Sequence, residues 1–110
     1  MDGRFYTLPK LDYDLKALAP YMSEAQLTLH YQKHHQAYVN SANAIFEKLD
    51  KARKDGTDLD MKATLKELSF QAGGHILHLL FWKNLAPADK AGKEPGGALA
   101  DALTKEFGSF

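Results

Sequence analysis

The chain has 110 residues, 45% hydrophobic and 25% charged, which limits it to one globular domain at most. Its 14 basic and 14 acidic residues give a formal net charge of zero, so the charge balance indicates no nucleic-acid partner. The absence of cysteine excludes disulfides, thiolate nucleophiles and zinc-thiolate sites.

Apolar stretches are too short to predict a membrane or export signal. The first residues lack the apolar core of a signal peptide, and no stretch approaches the roughly 20 apolar residues that cross a bilayer. We therefore expect a soluble cytoplasmic protein with no membrane partner.

Residues 5–21 are expected to form an extended arm with one short turn. Pro9 and Pro20 discourage a long helix here. The aromatic and leucine side chains of the arm should lie against the helices that follow.

A first long helix should begin at Ser23, since a serine followed three residues later by Gln26 has the form of a capping box. A stripe of residues at three- and four-residue steps consists of Leu27, His30, His34, Tyr38, Ser41, Ile45 and Leu49. This spacing predicts that the stripe faces a partner element. His35 lies off the stripe and is expected to be an ordinary structural histidine.

A second long helix should follow a polar turn. Gly56 suits the left-handed end of the first helix, Asp60 can cap the second, and Pro87 ends it. The predicted buried stripe of the second helix is Leu65, Leu68, Ala72, His75, His78 or Leu79, and Trp82. A short loop between two amphipathic helices favours an antiparallel hairpin.

The register of this hairpin can be estimated by taking Leu49 and Met61 as the residues that meet near the turn. His30 comes 19 residues before Leu49, and His78 comes 17 residues after Met61. At about 1.5 Å per residue the two histidines lie about 29 Å and about 26 Å from the turn. They should therefore be nearly level.

Two adjacent glycines, Gly73 and Gly74, interrupt the second helix at a cost of about 1 kcal/mol each relative to alanine. Close approach by another element would explain them, and so would room for the surroundings of a cofactor. The sequence leaves both explanations open.

A glycine-rich and charged segment, 88–97, has the composition of a linker. A third helix should follow, with an apolar stripe of Leu99, Ala102, Leu103 and Phe107 and an end at Gly108. The predicted fold class is all-α: a long antiparallel helical hairpin with an extended N-terminal arm and a third, C-terminal helix.

Two level histidines on facing helices make half of a transition-metal site, and imidazole suits manganese, iron, zinc and copper. His30 and His78 are the candidate ligands. His34 and Tyr38 could be core residues or the polar lining of an entrance, and His75 is expected to pack or hydrogen bond rather than bind metal.

Three segments together resemble the iron/manganese superoxide dismutase family: Tyr6–Pro9, His30–Asn40 and Ala72–Asn84. Pro95–Gly97 and Phe107–Phe110 also stand where that family places such residues. The resemblance therefore extends from about Phe5 to the last residue.

The resemblance implies a role for each matching residue. His30 and His78 would be metal ligands, and His34 and Tyr38 would form the gateway that controls superoxide access and proton delivery. Trp82 would be a wall beside the metal.

The resemblance also implies a reaction and a cofactor. The family converts two superoxide anions and two protons to dioxygen and hydrogen peroxide with a redox-cycling manganese or iron. Gly74 stands where iron-specific members often carry a glutamine, which slightly favours manganese. A homo-oligomer, dimer or tetramer, is expected.

Family members continue for about as long again, into an α/β domain that supplies an aspartate and a third histidine from an Asp-x-Trp-Glu-His motif, which this sequence lacks. We expect residues 1–87 to form the arm and hairpin, 88–97 a linker, and 98–110 the first helix of that domain.

Two alternatives to a dismutase half stay open. One is an oligomeric module in which two chains pool His30 and His78 to bind metal. The other is a metal-free structural hairpin.

Overall fold

The computed structural model describes residues 5–109, and every regular secondary-structure element in this range is a helix. The elements are α1 (Glu24–Thr28), a π-helical segment (Leu29–His35), α2 (Gln36–Asp55), α3 (Met61–Lys83) and α4 (Gly97–Phe107). The first three form one uninterrupted rod, because the residues at both junctions keep right-handed helical dihedrals. The predicted all-α fold class is confirmed.

The helix ends follow the predicted local signals. The Ser23 side chain accepts a hydrogen bond of 3.1 Å from the Gln26 backbone N–H, and Asp60 accepts one of 2.9 Å from Ala63. Gly56 ends the first rod with a φ of 69°, a left-handed conformation that an L side chain rarely adopts. These three positions fix where the two long helices begin and turn.

The N-terminal arm covers the end of the hairpin that lies opposite the turn between the two long helices. The buried core there consists of Leu18, Leu27 and Trp82, surrounded by Leu11, Tyr13, Leu15, Met22, Tyr31 and Leu85. The Tyr13 hydroxyl donates a hydrogen bond of 2.9 Å to the Trp82 carbonyl oxygen. The arm therefore packs against the helices, as the sequence predicts, and covers the tryptophan at the end of α3.

A second contact holds the arm along the first rod. The Asn43 side chain accepts a hydrogen bond from the Tyr6 backbone N–H and donates one to the Tyr6 carbonyl, both at 2.8 Å. The Tyr6 ring lies edge-on to Phe46, with 5.4 Å between ring centroids, and 4.6 Å from the ring of His75. Asn43 therefore sets the position of Tyr6 over the hairpin.

We expect Asn43→Ala to lower the free energy of unfolding by about 1–3 kcal/mol, because it removes both hydrogen bonds to a partly buried backbone. Urea unfolding followed by circular dichroism measures the change. Asn40→Ala is the matched control, since Asn40 is exposed and bonds only to the neighbouring Gln36 side chain. Equal effects of the two substitutions would contradict the proposed anchor.

Helix α4 begins at Gly97 and ends at Gly108, whose φ is 83°, close to the predicted bounds. Its apolar stripe does not pack: no residue of α4 is buried, and Leu99 and Phe107 are exposed. Phe110, the last residue of the segment that resembles the family, lies outside the described range. In that range no helix is long and apolar enough to cross a membrane.

Candidate metal centre

The π-helical segment decides which histidine of the first rod is buried. A π-helix hydrogen bonds to the fifth residue along instead of the fourth, so it adds a residue to the turn. Leu27 and His35, eight residues apart, are consequently both fully buried, whereas His34 is exposed. The prediction that His35 lies off the buried face is wrong, because it assumes an uninterrupted α-helical period.

After this segment, the buried residues of α2 are Val39 and Ala42, which follow on the same face as His35. The predicted stripe runs one position earlier, along Tyr38, Ser41 and Ile45, which are only half-buried. On α3 the buried residues are Thr64, His75 and Trp82, and the predicted core residue Leu65 is 51% exposed. The π segment therefore determines which face of α2 is buried, and it does not account for the exposure of Leu65 on α3.

His30 and His78 meet across the hairpin. Their Nε2 atoms are 2.9 Å apart, which confirms that the two residues are level. The Nδ1 atom of His78 lies 2.6 Å from the Gly74 carbonyl oxygen, which can only accept, so Nδ1 carries the proton. The Nε2 atom of His78 is therefore the ring nitrogen that faces His30.

His34 joins this pair from the solvent side. Its ring centroid lies 5.5 Å from that of His30 and 5.1 Å from that of His78. One ligand nitrogen from each of the three histidines lies within 4.8 Å of the others, the one such group of at least three His, Asp or Glu side chains in residues 5–109. Three imidazoles at this spacing can hold a transition-metal ion.

Aromatic rings enclose the histidines. Trp82 is 4% exposed and packs edge-on against His30, with 4.9 Å between centroids, and Phe81 lies 5.2 Å from the same imidazole. The Tyr38 ring lies 5.3 Å from His78 and 5.0 Å from His34. The site therefore has an apolar wall on one side and a phenol on the other.

Gly74 makes room for Tyr38. A Cβ atom at position 74 would overlap Cδ1 and Cε1 of the Tyr38 ring and lie 2.7 Å from its Cγ. A Cβ atom at Gly73 would meet nothing within 4 Å. Close approach by the facing helix therefore explains Gly74, and it does not explain Gly73.

Burial favours the neutral form of His30. The pKa of His30 is lowered, first by burial and then by the neighbouring His78 and His34. A metal must displace protons from imidazole, so a lowered pKa leaves the ligand nitrogen available at neutral pH.

Behind the pair lies a buried hydrogen-bonded chain that the sequence does not reveal. The Trp82 indole Nε1–H donates to His35 Nδ1 at 2.9 Å, and His35 Nε2 lies 2.9 Å from His75 Nδ1. Burial lowers the pKa of His35 to about 4, with smaller contributions from His75, His78 and His30. The prediction that His75 hydrogen bonds is confirmed.

A surface cavity of about 470 Å³ opens onto the site. Its walls are Gln26, Leu29, His30, Lys33 and His34. Small molecules can therefore reach His30 from solvent past His34, and Lys33 places a positive charge at the mouth.

The structure thus brings all the predicted site residues together: His30, His34, Tyr38, Gly74, His78 and Trp82. His35 is the neighbour that the sequence pattern misplaces. The adjacent pair His34-His35 is the signal that could have located it, because two successive histidines on a helix cannot both share one face.

The chain is similar to a known protein family and to several known proteins. Residues 5–86 match the family described as iron/manganese superoxide dismutases, alpha-hairpin domain. The chain is 57% identical over 110 residues to a protein named superoxide dismutase (Fe) from Methanothermobacter thermautotrophicus, a match that covers 100% of this chain and 54% of that protein.

Of two further relatives, one is named for iron and the other for manganese. A superoxide dismutase (Fe) from Pyrobaculum aerophilum is 55% identical over 105 residues, covering 96% of this chain and 50% of that protein. A superoxide dismutase (Mn) from Nocardia asteroides is 48% identical over 105 residues, with the same coverage. The chain spans about half the length of the curated relatives that it matches, and it belongs to the iron/manganese superoxide dismutase family.

Proposed function

We propose that this chain is the helical half of a superoxide dismutase and that His30 and His78 hold its iron or manganese ion. The observation that carries the proposal is the 2.9 Å separation of the two Nε2 atoms, with His78 Nδ1 donating to the Gly74 carbonyl. Metal-bound histidines generally donate their other ring N–H to such an acceptor, which fixes the ring.

The donor geometry fits a metal ion. The Nε2 atoms of His30 and His78 face each other from two helices at 2.9 Å, so both imidazoles would offer a nitrogen to one ion held between them.

The redox chemistry that a bound metal supplies is the conversion of two superoxide anions, with two protons, to dioxygen and hydrogen peroxide. The protein residues supply access and protons. His34 stands at the mouth and Tyr38 beside it, so an imidazole and a phenol both lie within reach of a molecule entering from the cavity. Lys33 attracts an anionic substrate, and Trp82 keeps bulk water from the far side of His30.

For the choice between the two metals we favour manganese, on the basis of Gly74. The Tyr38 ring occupies the space that a side chain at position 74 would need, so no glutamine can reach the metal from there. The iron names of the relatives at 55–57% identity argue in the opposite direction, while a relative at 48% carries a manganese name. Loading with each metal separately decides between them.

We further propose a homo-oligomer, dimer or tetramer, in the cytoplasm. Exposed apolar side chains on α3, among them Phe70, Leu77 and Leu80, form a surface that soluble proteins usually cover. The exposed helix α4 agrees with the division into an arm and hairpin at 1–87, a linker at 88–97 and the start of a second domain at 98–110. Size measurements on the purified chain test the oligomer.

The metal proposal is tested by elemental analysis after loading with manganese or iron, on fractions separated by size. We expect about one metal per chain, with affinity at least about 100-fold weaker in His78→Ala, since that substitution removes a ligand. Leu77→Ala, at the adjacent exposed position, is the matched control and should bind normally.

Two other results would contradict this proposal in different ways. Half a metal per chain in a dimer would favour the non-catalytic module that pools four histidines. Absence of metal from every fraction would leave the structural hairpin.

A further inference from the structure

The direction of the hydrogen bonds behind the metal centre can be assigned from donor chemistry alone. The indole nitrogen of Trp82 is a donor and never an acceptor, so the Nδ1 atom of His35, 2.9 Å away, must accept. An imidazole that accepts at Nδ1 is neutral and carries its proton on Nε2. His35 is therefore fixed in one of its three protonation states.

The same reasoning extends to the next histidine. Because His35 has its proton on Nε2, the contact of 2.9 Å to His75 Nδ1 is a donation from His35 to His75. His75 then also carries its proton on Nε2. The chain of donors runs in one direction, from Trp82 through His35 to His75, and all three side chains are at most 5% exposed.

This chain touches both candidate ligands without including either. The Trp82 ring packs edge-on against His30, and the His35 ring stacks on His78 with 5.1 Å between centroids and 24° between planes. The far end is covered by Tyr6, whose ring lies 4.6 Å from His75. Water is therefore kept from the chain by the N-terminal arm.

We propose that His35 and His75 are positioning residues: as neutral Nε2–H tautomers they lock the Trp82 indole in place and so hold the rings of His30 and His78 at their mutual distance. The proposal assigns a task to two buried histidines that bind no metal. Its effect on metal binding rests on the proposed function, whereas the tautomers and the locked indole can be observed in the metal-free protein.

The tautomers are read by long-range ¹H–¹⁵N NMR on the metal-free chain near pH 7. We expect a protonated Nε2 and an unprotonated Nδ1 for both His35 and His75. The indole proton of Trp82, the single tryptophan of the sequence, should resonate downfield and exchange slowly with water. A proton on Nδ1 of His35, or an indole proton that exchanges freely, would overturn the proposal.

Three variants separate positioning from general stability. His35→Gln retains a hydrogen-bond acceptor and a donor, and His35→Leu retains neither. Val39→Ala is the control: it weakens the same buried face four residues beyond His35, where Val39 is 2% exposed and its apolar side chain makes no hydrogen bond. We expect the indole signal to be lost in the leucine variant, largely kept in the glutamine variant and unchanged in Val39→Ala. Loss of the signal in Val39→Ala would mean that it reports only stability.

Binding of manganese(II), measured from the electron paramagnetic resonance of the free ion, tests the effect on the ligands. Affinity should fall about 10–100-fold in His35→Leu and recover in His35→Gln. Normal affinity in a folded leucine variant would overturn the positioning role. If the unmodified chain binds no manganese while its tautomers are as expected, the proposed metal site fails and the indole lock stands.

Discussion

Between pH 7 and pH 4 the protein is expected to lose roughly 3 kcal/mol of its free energy of unfolding through His35 alone. Burial, with smaller contributions from the neighbouring His75, His78 and His30, lowers the pKa of this imidazole from 6.5 to about 4. Each unit of difference between the folded and unfolded pKa corresponds to about 1.36 kcal/mol. Trp82 carries no charge, but its indole N–H donates to the Nδ1 atom of His35. In the folded state this nitrogen therefore cannot take up a proton without losing that hydrogen bond.

The direction of the effect follows from proton linkage. Above about pH 6.5 His35 is neutral in both states, and its contribution to stability is complete. As the pH falls from about 6.5 to about 4, only the unfolded chain takes up the proton, so stability is progressively lost. The pKa values of His30 and His75 are also lowered by burial, so their contributions have the same sign.

Urea unfolding of the metal-free chain between about pH 7.5 and about pH 4.5 measures this loss. His35→Gln removes the titrating group and retains hydrogen-bonding capacity, so its stability should fall less steeply over the same range. Identical pH dependence in the two proteins would show that His35 does not contribute. The Asn40→Ala variant, altered at an exposed residue that hydrogen bonds to the Gln36 side chain, should show the full slope.

Much of the fold could be predicted because its signals are local. Ser23, Gly56 and Asp60 each mark a helix end through their own side chain or backbone preference, independently of the rest of the chain. Counting residues from the turn was sufficient to place His30 opposite His78, since an error of one residue shifts a helical position by only about 1.5 Å along the axis.

The part of the site that could not be predicted depends on rotation about the helix axis rather than on distance along that axis. One residue also rotates a helical position by about 100°, so the π segment moves His35 to the buried face and His34 to the solvent side. No propensity in Leu29–His35 marks a π-helix in advance. The hydrogen bonds between Trp82, His35 and His75 follow from that rotation, and sequence periodicity could not reveal them.

The two adjacent glycines are expected to respond to alanine in opposite directions. Gly73→Ala should raise the free energy of unfolding by about 1 kcal/mol, because alanine is the better helix former and a Cβ atom there meets nothing within 4 Å. Gly74→Ala gains the same propensity but forces its methyl group into the Tyr38 ring, so we expect a net loss of about 1–3 kcal/mol. Thermal or urea unfolding of both variants gives the comparison.

The loss at position 74 is expected because the Tyr38 ring packs against three other rings and would have to leave them. Its centroid lies 5.0 Å from that of His34, 5.3 Å from that of His78 and 5.8 Å from that of Phe70. Moving the ring therefore disturbs the candidate gateway as well as the seam, and Tyr38→Ala should relieve the clash and make Gly74→Ala harmless in the double variant. If Gly74→Ala were as stabilising as Gly73→Ala, the two helices would lie farther apart than described, and the pairing of His30 with His78 would have to be reconsidered.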